Sequence, residues 1–307
     1  MANDAMQPME AEMLTAVLWC LGAGLIITGL GILYGKVNKH GQDPMLFNWY
    51  GALFLAVICA GTVRWGALLK ADLEFASFAP LLASMSASGA FMVAGVIAMI
   101  AAMRLGRMDI AWSVTQTSMV IPFVMGVLVF GCPVNAYNIL GLLGIILGIG
   151  LFGIHGNAHA EPGGSRKWLL VALISFLLVG SSQFCFSIPS YWHGWKDEFS
   201  LRIPIQAAAG LLCIAVWKPS LILKLDFKLC AYGALFALLT YAGRYALYGA
   251  IDALSALNMA AIAYPACQGI SILGIVGYQA ASRRSLNMKT VFIACLMVAG
   301  LLLIGLR

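Results

Sequence analysis

Residues 106–131 read GRMDIAWSVTQTSMVIPFVMGVLVFG, and residues 249–274 read GAIDALSALNMAAIAYPACQGISILG. The stretches lie 143 positions apart (249 − 106), and one register pairs Gly106 with Gly249, Asp109 with Asp252, Pro122 with Pro265, Gly126 with Gly269 and Gly131 with Gly274. The pattern Asp–x12–Pro–x3–Gly–x4–Gly thus occurs twice, each time along an apolar run. A further shift of nine pairs Asn135 with Asn287, Gly148 with Gly300 and Gly153 with Gly305, the extra residues falling in the loop of Arg283 and Arg284. Recurrence at corresponding places predicts a duplicated chain.

Outward from these stretches the sequence is a series of apolar runs. Hydrophobic residues make up 62% and charged residues 10%, against about 25% charge in soluble domains. A soluble chain of this length has too few interior positions for so many apolar side chains. Lipid accommodates them, and lipid admits helices or closed barrels. Barrel strands alternate with period two. The runs here are continuous over lengths that span a bilayer as helix. The expected fold is therefore an all-α integral membrane protein with ten transmembrane helices. The spans read as 13–34, 46–63, 80–103, 110–130, 136–154, 168–187, 203–217, 229–251, 253–278 and 291–305. The most polar connection, 155–167, divides a first five-helix repeat (1–154) from a second (168–307). An odd number of spans per repeat makes the copies run in opposite directions, the inverted repeat of many secondary transporters.

The net charge of +6 is spread singly or in pairs between apolar runs, which argues against nucleic-acid binding. Twelve Lys and Arg residues fall on one set of connections and five on the other, with Arg244 inside a span. The richer set is expected in the cytoplasm, placing both termini outside, at a bacterial inner membrane. The N-terminal segment lacks the basic n-region of a cleavable signal peptide. The eight cysteines form no CxxC pair, and His40, His155, His159 and His193 lie at or beyond span ends, so neither metal nor cofactor is expected.

The doubled pattern resembles the drug/metabolite transporter superfamily in its ten-helix form with two EamA-like halves. The residues that carry the likeness are Arg104–Thr117 with Pro122 and the GLLGIILGIGLFGI of span five, then Leu247–Ala256 with Tyr264–Pro265 and VAGLLLIGL. The Gly35–Lys39 connection and the Leu-Gly-x-Met-x-Ile stretch look somewhat like the sugar-porter branch. The resemblance implies alternating access, and cytoplasmic termini, contrary to the charge count. It departs from the pattern where a Glu commonly follows the Pro-containing helix; here residues 131–135 read GCPVN.

Arg244 is the sharpest single feature. It sits about 10 Å from its span end, where insertion scales charge an Arg roughly +2.5 to +3.5 kcal/mol. Tyr241 and Tyr248 share its face, a cation flanked by phenols that suits a carboxylate, a phosphate or sugar hydroxyls. The alternatives are snorkelling to the span end or a structural pair with Asp252. Trp112 and Gln116 of span four, Tyr264 and Gln268 of span nine, Gln183 of span six and Trp19 of span one are the other expected pocket walls. Each polar group also serves as interhelical glue in the plainer reading. Pro122 and Pro265 are candidate hinges. Asp109 and Asp252 read first as helix caps and second as coupling groups. Gly141, Gly144 and Gly148 suit a packed interface, within the fold or in a homodimer.

These features point to a secondary, non-ATP transporter of a small polar organic metabolite, sugar-like or anionic, and not to an enzyme. A membrane enzyme would draw on His193 and Asp197, and a channel or scaffold would need no repeat-related pocket.

Overall fold

The structure is a computed structural model that describes residues 2–39, 41–63, 75–106, 108–131, 134–155, 164–191, 201–256, 263–283 and 288–305. Among the described residues it holds ten helices and no strand. They are α1 (Ala2–Lys39), α2 (Pro44–Thr62), α3 (Phe75–Leu105), α4 (Met108–Phe130), α5 (Ala136–His155), α6 (Gly164–Tyr191), α7 (Arg202–Trp217), α8 (Phe227–Ala256), α9 (Ala263–Arg283) and α10 (Met288–Gly305). Stretches of α1, α2, α3, α4 and α6 are long and apolar enough to cross a membrane, and α5, α7 and α10 contain shorter apolar segments.

The outward faces are apolar and the interior is polar at intervals. Leu14, Val17, Leu18, Leu21 and Leu25 form an exposed stripe on α1, and Ile139, Leu140, Leu143, Ile146 and Leu147 form one on α5. Soluble monomers rarely expose contiguous apolar surface on this scale. Ser88, Ser113, Thr115, Ser175, Ser182, Gln206 and Gln268 are buried instead. The distribution is that of a membrane protein.

Local chemistry sets the helix ends. Asp43 caps α2 by accepting from the Met45 amide at 2.9 Å, with Pro44 in the first turn. Asn135 and Asn138 exchange side-chain and amide hydrogen bonds at 2.8 and 2.9 Å at the start of α5. Gly131 ends α4 at φ 65°, a conformation glycine adopts without strain. Within α4 the helix tightens to one 3-10 turn, Thr117–Met119. Pro122 cannot donate to the carbonyl of Ser118, four residues earlier, so the break falls where the missing hydrogen bond puts it.

Contacts fix the helix directions. Ser88 meets Ser182, Gly95 meets Ser175 and Gly106 meets Trp168, so α3 and α6 are antiparallel. Trp19 meets Gly249 and Leu239 meets Gly29, so α1 and α8 are antiparallel. Gly89 lies on Gln206 and Val93 on Gly210, so α3 and α7 are parallel; Tyr50 lies on Gly233 and Gly51 on Phe236, so α2 and α8 are parallel. By the same reasoning α1 and α9 are parallel (Gly24 on Ile270, Thr28 on Gly274), and so are α4 and α6 (Thr115 on Ser175, Ile121 on Gly180). Helices α5 and α10 are antiparallel through Gly148 on Met297 and Gly144 on Gly300.

Three boundaries differ from the sequence reading. Helix α8 continues to Ala256, so Asp252 stands within a helix and not at the start of the next. Pro265 is the third residue of α9, where its missing N–H costs nothing, and bends no described segment. Helix α5 runs to His155 and α6 starts at Gly164, which shortens the connection expected at 155–167. The glycine stripe of α5 is consumed inside the fold: a Cβ on Gly300 would stand 2.7 Å from the Gly141 carbonyl oxygen and 3.1 Å from the Ile145 amide. Backbone cannot yield there as a side chain can. Gly300→Val is expected to destabilise by about 1–3 kcal/mol. Gly277→Ala, with nothing within 4 Å, is expected to stabilise slightly; melting of both variants in one detergent checks the pair.

Candidate functional site

Four helices, α2, α3, α7 and α8, line a half-open cavity of about 70 Å³, smaller than the usual small-molecule site. Its walls are Ala52 and Leu55 from α2, Met92, Val93 and Val96 from α3, Ala207 from α7 and Phe236 from α8. Its polar lining comes from Asn48, Gln206, Thr240 and Arg244. Gly89 and Gly210 also line it and let α3 and α7 touch through their backbones.

Arg244 reaches this site by helical register. Phe236, Thr240 and Arg244 are spaced by four on α8 and present one face. The guanidinium lies 5.8 Å from the ring centroid of Phe186 on α6, a cation–π contact that offsets part of its desolvation. Its neighbours in the lining come from α2, α3 and α7.

Gln206 is 5% exposed, and a short polar chain orients it. Ser88 and Ser182 donate to each other's carbonyl oxygens, both at 2.8 Å. With its proton committed, the Ser88 hydroxyl has lone pairs left to offer, so Gln206 turns its NH₂ to it at 2.6 Å. Among the described residues the buried Gln206 Oε1 has no hydrogen-bond partner, and neither has the Thr240 hydroxyl. Unsatisfied buried groups cost about 1–3 kcal/mol each, and both belong to residues lining one cavity.

The remaining expected site residues are placed as follows. Trp112 is buried; its indole donates to Ser271 at 3.0 Å and its ring lies on Gly31, which makes it a brace between α4, α9 and α1. Thr115 and Ser175 are likewise joined at 3.1 Å. Trp19 lies on Gly249, edge to face with Tyr245, whose ring points outward. Tyr241 packs beside Leu55 and Ala207 behind the cavity wall. Tyr264 packs between the two largest apolar clusters. Gln116 is half-buried and does not line the cavity. Gln183 on α6 and Gln268 on α9 each hold a buried Oε1 with no hydrogen-bond partner among the described residues. Asp109 opens α4 as expected, but is 2% exposed. The side chains of Tyr248 and Asp252 lie outside the described residues, as does the stretch of His193 and Asp197.

Sequence reasoning missed Asn48, Gln206 and Thr240. Thr240 was reachable, one helical turn before Arg244. Gln206, set in a run of Ala and Gly, was a polar group on a face built for close packing.

No family model and no curated protein matches the chain. A solved crystal structure is similar over 92% of this chain and 97% of its own at 14% identity, with a TM-score of 0.49, too remote to carry an argument.

Trp112→Phe is expected to cost about 1 kcal/mol, the worth of one buried hydrogen bond. Trp112→Ala is expected to cost about 3–5 kcal/mol. Thermal melting orders the two, and any ligand bound in the cavity should keep its affinity in Trp112→Phe.

Proposed function

We propose that the protein is a ten-span secondary transporter of the drug/metabolite type, built as an inverted repeat, that carries a small polar or anionic organic solute through the cavity at Arg244. The observation that carries this reading is the exchange relation of the helices around that cavity. Moving five places along the chain turns α2 into α7 and α3 into α8, the four helices that line it. The same move turns the α3/α6 contact into α8/α1, α3/α7 into α8/α2 and α4/α6 into α9/α1, and each pair keeps its parallel or antiparallel sense. Close approaches recur with it: Gly106 on Trp168 and Gly249 on Trp19, Gly180 on α4 and Gly24 on α9, Gly89 on α7 and Gly233 on α2. Val93 and Phe236, both in the lining, stand 143 positions apart (236 − 93), the offset of the doubled motif. A site on such an axis can open by either of two related packings, which is what alternating access needs.

The lining favours the substrate class. Among the described lining residues the charge is positive and comes from Arg244, a planar donor that binds carboxylates and phosphates well. Gln206 Oε1 and Thr240 add an acceptor and a hydroxyl. Apolar walls suit a compact organic body.

A thermal-shift panel of sugars, sugar phosphates, carboxylates, amino acids and nucleosides on the purified protein, followed by uptake into proteoliposomes, tests the reading. Binding to the folded state raises the melting temperature by mass action. The expected hit is an anionic solute whose affinity falls about 100-fold, ~3 kcal/mol, in Arg244→Ala. Uptake that survives unchanged in a well-folded Arg244→Ala would remove the cavity from the mechanism.

A further inference from the structure

The link between α7 and α8 carries an arrangement that solute transport does not use. Leu223, Leu225 and Phe227 are 88%, 85% and 86% exposed, with Val216, Trp217 and Ile222 also turned outward. Such surfaces in a loop normally fold inward. Here hydrogen bonds hold them out. The Tyr50 hydroxyl, rooted in α2, donates to the Lys224 carbonyl at 2.7 Å and accepts from the Asp226 amide at 3.1 Å. Leu221, the last residue of a 3-10 turn, Pro219–Leu221, is fully buried, and the Lys224 amide donates to the Leu221 carbonyl at 3.1 Å. The loop is a fixed shelf, bolted to α2 and apolar on its outer side.

Three lysines rim the shelf, and its carboxylates are occupied. Asp226 caps α8 by accepting from the Lys228 and Leu229 amides at 3.0 Å. Asp43 caps α2 and pairs with Lys218 at 3.6 Å. Lys224 and Lys228 are exposed and have no ion-pair partner among the described residues.

We propose that this shelf is a binding site for anionic phospholipid headgroups: Leu223, Leu225 and Phe227 enter the boundary between headgroups and acyl chains, and Lys224 and Lys228 take the lipid phosphates. An apolar surface held in place next to unpaired cations matches an amphiphile of that charge on both counts. The contact with Asp43 sets the shelf beside the α1–α2 connection, where exposed Lys36 and Arg104 continue the positive rim. The same chemistry would answer to free phosphate were the apolar side chains idle.

The test titrates the full-length protein in neutral detergent with phosphatidylglycerol, phosphatidylcholine or inorganic phosphate and follows its melting. Phosphatidylglycerol should bind more tightly than phosphatidylcholine, and inorganic phosphate should do nothing. Each lysine neutralised should remove about fivefold of that preference, so Lys224→Gln with Lys228→Gln should remove roughly 25-fold while melting in phosphatidylcholine stays native. Leu223→Ser with Leu225→Ser should weaken both lipids and keep the preference. A native preference in the double-lysine variant would overturn the proposal. So would an equal loss in Lys36→Gln, which would make the effect a diffuse field of the basic rim, or stabilisation by inorganic phosphate alone.

Discussion

Helices in hydrocarbon cannot rely on water to drive them together, so they must touch. That requirement organises this molecule. Where α3 meets α6 and α7, where α8 meets α1 and α2, and where α5 meets α10, a glycine on one helix admits the backbone or a ring of the other. The hydroxyls of Ser88, Ser175 and Ser182 become useful at such distances because they reach across to carbonyls of the neighbouring helix. A hydrogen bond of this kind adds only about 0.6 kcal/mol. Its larger effect is to fix register, which decides which side chains share a cavity.

Arg244 shows what register accomplishes. A guanidinium at this depth stays charged and must be supported. The fold gives it an aromatic face on α6 and a place in the wall between four helices. The serine pair one helix away holds Gln206 in the same wall, its oxygen unsatisfied among the described residues. Structural glue and the site are thus one network, in which Ser88 serves both.

Much of the fold was legible because lipid imposes a length and a polarity on every segment. Ten runs correspond to ten helices, but the doubled motif lies on α4, the end of α8 and α9 and contributes no residue to the cavity lining. Boundaries were less legible. Hydropathy marks where lipid ends, while a helix stops where its backbone hydrogen bonds stop; α8 therefore passes Asp252 and reaches Ala256. Arg244 stood out because a lone charge in an apolar run is costly anywhere. The polar residues of α4 did not separate into brace and binding group, because that depends on partners far away in the chain. Ser271, which receives the Trp112 proton, is 159 residues distant. Pro122 coincided with a real break, whereas Pro265, its mate in sequence, fell in a first turn.

The largest departure from the exchange of helices is that α9 packs along α10, whereas α4 and α5 scarcely touch among the described residues. The contacts at these two related places are therefore unequal. In a carrier, an imbalance of 1.4 kcal/mol between the two openings would leave the unloaded protein waiting ten times longer on one side. Such a bias drives no net flux, since detailed balance forbids it without a gradient. It would give the two faces different half-saturation concentrations, so that one leaflet meets a collector suited to scarcity and the other an outlet suited to plenty.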